Sequence, residues 1–156
     1  MEPSARGSTP EAAPQRTPPN ALQTVVSVFG VLAALAGMEH GVGEILQGPV
    51  PPSGPVIRSW PDHPAFVMLD GEPAVTLIPN LLAAGAATVL VAALLAAWAV
   101  AGIQRRHGPL VLIGLSVLLF AVGGGFGPPL LGAILGAAAL VPVPSRRAGP
   151  LARALA

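Results

Sequence analysis

The chain has 156 residues, 53% of them hydrophobic and 10% charged, with a mean hydropathy of +0.70. A soluble domain carries about 25% charged residues, so this is the composition of a membrane protein. A net charge of +1 argues against a nucleic-acid surface; the absence of lysine excludes a Walker-type phosphate loop, and the absence of cysteine excludes disulfides and thiolate metal sites.

Residues 1–20 are rich in Pro, Ser and Ala and carry Arg6 and Arg16. They lack a compact apolar run, so they read as a disordered cytoplasmic tail, not a cleavable signal. Four membrane spans follow, at about 21–47, 74–103, 109–122 and 128–141. The fold expected is therefore all-α, a four-helix transmembrane bundle over residues 21–143, with residues 144–156 as a second cytoplasmic tail.

The first span is the informative one. Its uncharged stretch, Val25–Met38, has 14 residues, whereas crossing a bilayer takes about 20. To span, the helix starts earlier or continues through Glu39, His40, Glu44 and Gln47. Ionisable groups at such depth are costly and call for partners or a function. With Glu39 at zero on a helical wheel, Gly43 falls at about 40°, Ala36 at about 60°, Gln47 at about 80°, His40 at about 100° and Glu44 at about 140°. The four polar side chains thus share one arc, with small Ala36 and Gly43 between them to admit a neighbouring backbone.

The connection 48–73 contains too many prolines for a long helix. Its Trp60, Phe66, Val67, Met68 and Leu69 suit a segment that lies at the membrane interface or folds back over the bundle. His63 beside Asp62 reads as a solvated pair, and Asp70-Gly71 as a turn.

The second span is expected to begin at Ala74, with Pro73 in its first turn. In that register Asn80 is a hydrogen-bond partner for Glu39 or His40, Pro79 kinks the helix, Thr76, Ala84, Ala87 and Thr88 share the side of Asn80, and Glu72 sits just above. The third and fourth spans are short and joined by Gly123-Gly124-Gly125-Phe126-Gly127, before Pro128. That uncharged segment reads as a turn dipping into the bilayer, tolerated only where protein covers its backbone or water reaches it. Gly132 and Gly136 read as ordinary small-residue packing.

Seven arginines fall in the tails and the 104–108 loop, against Arg58 alone in the connection 48–73. That asymmetry places both termini in the cytoplasm and the chain in the cytoplasmic (inner) membrane as a multi-pass protein. Glu39–Gln47, the connection and the glycine turn then share the non-cytoplasmic side.

Four readings of the polar face stay open: a structural network, a proton- or cation-linked pathway, a metal site with His40 and Glu44 as candidates, and a docking face for another membrane subunit. No poised nucleophile is evident and no organic cofactor is expected, so the reading is non-enzymatic. Four short spans enclose little volume, so a solute pathway calls for a homo-oligomer or a second subunit.

The strings GMEHGVGEILQG (37–48), GEPAVTLIPN (71–80) and GGGFGPPLLG (123–132) resemble those of a family of small prokaryotic four-helix integral membrane proteins. The resemblance implies the fold over about 21–141. It implies no activity and transfers no functional residue.

Overall fold

The computed structural model describes residues 21–69 and 71–141; the two expected tails lie outside them. Four helices make up most of the fold: α1 (Ala21–Leu46), α2 (Leu81–Ala101), α3 (Gly108–Val122) and α4 (Gly127–Leu140). A two-stranded antiparallel ribbon adds β1 (Val56–Arg58) and β2 (Pro73–Val75), with Ile57 opposite Ala74. A 3-10 turn, Pro64–Leu69, lies between the strands. The all-helical expectation therefore needs this one addition. α1 and α2 are long and apolar enough to cross a membrane, whereas α3 and α4 are shorter.

The helices close a ring in chain order, α1 against α2 and α4, and α3 against α2 and α4. The core is Val26 and Ala34 of α1, Val91 and Leu95 of α2, Leu112 and Leu119 of α3 and Leu135 of α4. Small residues set the spacing. A Cβ at Gly41 would press on the carbonyl of Gly85, and one at Gly85 on the carbonyl of Gly41, so α1 and α2 touch backbone to backbone there. At the opposite end the Trp98 indole N–H donates to the Gly108 carbonyl at 2.9 Å, and Arg105 lies over the Trp98 ring, fastening the α2–α3 turn.

The expected start of the second span is corrected. Residues 73–75 are a strand, and the helix begins at Leu81 with Asn80 as its cap. The first N–H groups of a helix have no partner within it, and here those of the first three residues each have one outside. Leu81 N–H donates to the Val50 carbonyl, Leu82 N–H to Gly48 and Ala83 N–H to Asn80 Oδ1, and the bond from Ala84 N–H to the Asn80 carbonyl is the helix's own first bond. Pro79 precedes the cap, where it favours extended backbone in Ile78 and kinks nothing. The stretch before it is extended for a second reason. Leu77 N–H donates to the Ala121 carbonyl, and the Thr76 hydroxyl to the Val122 carbonyl. These are carbonyls that α3 leaves open at its C-terminus.

Asn80 is thus a helix cap and not a partner for Glu39 or His40. Replacing Asn80 with Ala is expected to lower stability by about 1 kcal/mol, as loss of an N-cap does, and to leave the polar cluster intact. Thermal unfolding in detergent checks this; a loss several-fold larger would mean that Asn80 does more than cap α2.

Candidate functional site

The polar face of α1 is only partly the one expected. The buried positions Gly30, Ala33, Ala34, Gly37, His40, Gly41 and Glu44 face the other helices. Ala36 is exposed, which corrects its reading as a packing residue on the inner face. The buried stripe is centred near Glu44, not near Gly43. Glu39 and Gly43 turn away from the helices, and what covers them is the α1–α2 connection.

That connection forms a strap across the last turns of α1. Beyond the ribbon its pairing continues, with Ser59 N–H bonded to the Glu72 carbonyl and Trp60 N–H to the Gly71 carbonyl. Gly43 carries no side chain because the strap backbone lies on it: a Cβ there would strike the Ser59 carbonyl. Gln47 ties the strap down, its amide nitrogen lying 2.9 Å from the Arg58 carbonyl, 3.0 Å from Ser59 and 3.1 Å from Gly43. The Trp60 ring stacks on Phe66 and meets His63 edge-on. His63 and Asp62 are exposed, and Val67 and Met68 are 71% and 95% exposed.

Beneath the strap four ionisable side chains meet. His40 is 7% exposed and Glu44 not at all. One ligand atom from each of Glu39, His40 and Glu72 lies within 4.8 Å of the others. His40 Nε2 stands 3.4 Å from Glu72 Oε2. The Glu39 and Glu72 carboxyls lie side by side, and the Trp60 indole N–H beside Glu39 is buried without a hydrogen-bond partner. Glu72 has φ +54, and the preceding Gly71 has φ +76. A glutamate in the left-handed region is uncommon, and here it belongs to the residue that brings the strap's carboxyl to His40.

The other ring nitrogen, His40 Nδ1, is 2.9 Å from Ser59 Oγ, and Ser59 Oγ is 3.5 Å from Glu44 Oε1. Thr88 of α2 lies on the Glu44 carboxyl as well, while its hydroxyl hydrogen goes to the Val122 carbonyl at 3.0 Å. Towards Glu44 the Thr88 hydroxyl is therefore only an acceptor. Glu39 Oε1, Glu72 Oε2 and Glu44 Oε2 are buried without a hydrogen-bond partner.

The glycine turn closes the cluster from the far side. Gly123 (φ +132) lies against the Glu44 carboxyl and Gly125 (φ +74) against the His40 ring, so that a Cβ at either would strike those side chains. Gly124 is buried against Leu119. Gly123, Gly124 and Gly125 are covered by protein, whereas Phe126 is exposed. Pro128 is buried at the start of α4, and Gly127 is exposed with open space around it.

Of the residues anticipated, Glu39, His40, Glu44, Gln47, Glu72 and Gly43 come together. Asn80, Pro79 and Ala36 do not join them. Ser59 was missed, because nothing in a strap sequence reveals which side chain will meet a helix. The same contact makes a Ser59–His40–Glu72 line that the sequence did not suggest. Ser59 is fully buried and its hydroxyl is held between His40 and Glu44, so it positions the ring and is not open to substrate. His40, the first metal candidate, is in the converging group, and Glu44, the second, lies beyond Ser59; Glu39 and Glu72 take its place.

No family model matches the chain, and neither a curated protein nor a solved structure does.

Gly123→Ala is expected to cost about 2–4 kcal/mol, from a strained φ and the collision with Glu44. Gly127→Ala should stay within about 0.5 kcal/mol. Comparing the two thermal unfolding curves in detergent checks the packing of the turn on Glu44; equal curves would refute it.

Proposed function

We propose that this chain is an integral protein of the cytoplasmic membrane that takes up and releases a cation at its non-cytoplasmic end, in proton- or cation-linked transport. The observation that carries the reading is the accounting under the strap. Three glutamates gather there, Glu44 fully buried and Glu39 and Glu72 partly so, and one buried oxygen of each lacks a donor. Two neighbouring carboxyls offer each other only acceptors unless a proton or a cation lies between them. A site of this composition suits a positive occupant, and intramembrane carboxylates mark ion and proton routes in many membrane proteins.

The membrane reading has its own support. The helices expose Phe29, Leu32 and Leu35 of α1, Leu90 and Leu94 of α2, Val117 of α3, and Leu130 and Ile134 of α4. Apolar surface on every helix is a liability in water and ordinary against lipid. α1 and α2 keep most of their apolar windows outside the core, unlike the central helices of a soluble fold. The arginine asymmetry favours cytoplasmic termini, and the strap then faces the other side. The bundle centre is filled by Leu95, Leu112 and Leu119. A solute route therefore runs along an interface between copies of the chain or with another membrane subunit.

In proteoliposomes carrying a pH-sensitive dye, the purified chain should move protons when a cation gradient is imposed. Glu39→Gln with Glu44→Gln should abolish that movement, a drop of at least tenfold. Unchanged flux in the double variant would overturn the reading. If flux is absent from the wild-type chain and the same substitutions release a co-purified membrane protein, the face is a docking surface.

A further inference from the structure

We propose that Glu39, His40 and Glu72 bind one divalent first-row transition metal ion, of the zinc or manganese class, with Ser59 and Glu44 fixing the imidazole. This deepens the cation reading above by naming the ion, and it rests on that reading only for the claim of movement.

The argument begins with His40 Nε2. It lies in a ring that is nine-tenths buried, and its nearest polar partner is Glu72 Oε2 at 3.4 Å. That distance is long for a charged hydrogen bond, which runs at about 2.7–2.9 Å. It fits two ligands of a single ion: tetrahedral bonds of about 2.1 Å place neighbouring ligand atoms about 3.4 Å apart. Glu39 supplies a third ligand atom inside the same 4.8 Å group. The unpartnered oxygens Glu39 Oε1 and Glu72 Oε2 belong to the same two carboxyls, and the one donor beside them, the Trp60 indole N–H, carries no charge and is itself unpartnered.

The ligand set selects the ion. One imidazole with two carboxylates suits zinc, manganese or iron; calcium and magnesium take oxygen ligands almost exclusively. Three protein ligands leave a position for water, as in exchangeable zinc sites and unlike closed structural ones.

The far side of the ring has what a metal-bound histidine needs. With Nε2 on the ion, Nδ1 carries the hydrogen and donates to Ser59 Oγ across 2.9 Å. The Ser59 hydroxyl hydrogen is then free to point at Glu44 Oε1, 3.5 Å away. A histidine ligand held by a carboxylate, directly or through one group, keeps its tautomer and orientation, and removing such support costs about 10–100-fold in affinity. His63 sits outside this group on the exposed face of the strap.

The test is metal binding by the full chain in detergent. After chelator treatment, zinc and manganese are titrated by calorimetry, with magnesium as the oxygen-preferring control. The expected result is one zinc per chain, with magnesium far weaker. Glu72→Gln should weaken zinc at least tenfold and His40→Ala at least a hundredfold. Ser59→Ala should weaken it about 10–100-fold, with recovery in Ser59→Thr and no change in His63→Ala. X-ray absorption on the zinc-loaded chain should report a first shell of one nitrogen with oxygens and no sulfur, a readout independent of how well the variants fold. No stoichiometric metal in the wild-type chain, or binding untouched by Glu72→Gln and His40→Ala, overturns the assignment. If zinc fails to bind while the proton flux still depends on Glu44, the metal assignment falls and the transport reading stands. If zinc binds and no flux is found, the site stands and transport falls.

Discussion

The end of the bundle where α1 stops is organised by one constraint. A carboxylate taken out of water without a partner costs several kcal/mol even after its surroundings relax. This chain puts Glu39 and Glu44 on adjacent turns of an apolar helix and brings Glu72 to them from a strap. Several irregular features of the fold lie where these groups meet. The strap pairs into a ribbon, Glu72 adopts a left-handed backbone, the chain before α2 stays extended to reach the end of α3, and the α3–α4 turn is built of glycines. Elsewhere the bundle needs only small residues at its contacts and leucines at its centre.

The strap covers Glu39 and Gly43, which the helices leave bare, and it brings the Glu72 carboxyl to His40. Covering raises the strength of any electrostatic interaction beneath it, since the local dielectric falls. Glu72 belongs to a segment held in place by the ribbon and by two carbonyl contacts from Gln47, to Arg58 and Ser59. The cluster is therefore enclosed by the strap as much as by the helix, and Trp60, stacked on Phe66 and edge-on to His63, is the strap's largest side chain.

Much of this was legible in the sequence. Apolar runs bounded by Pro and Gly give α3 and α4 to within a residue, and the wheel of α1 gathers Glu39, His40, Glu44 and Gln47 on one side of the helix. The wheel misplaces the inner face because it weighs all polar residues alike; the helices take the Glu44 side, and the Glu39 side is left to the strap. Ala36 falls outside both, one turn below the strap. The start of α2 was hidden by two competing signals. Pro73 suits a first turn, but Pro79-Asn80 is the stronger one, since the proline stops the preceding residue from being helical and the asparagine caps. Ser59 and the contact of Gly123 and Gly125 with the cluster were invisible, because they depend on which distant segments meet. A glycine run says that a turn comes close to something without saying to what.

The unequal helices carry a consequence for the lipid. α1 has 26 residues and α3 has 15, and at about 1.5 Å per residue they are about 39 Å and 22 Å long. Around a protein that spans the membrane, the hydrocarbon, about 30 Å thick elsewhere, meets a tall wall on one flank and a low one on the other. Thinning the bilayer beside α3 and α4 costs a fraction of a kcal/mol for each ångström of mismatch. In a bilayer the lipids on that flank would have to be shorter or more tilted than those beside α1.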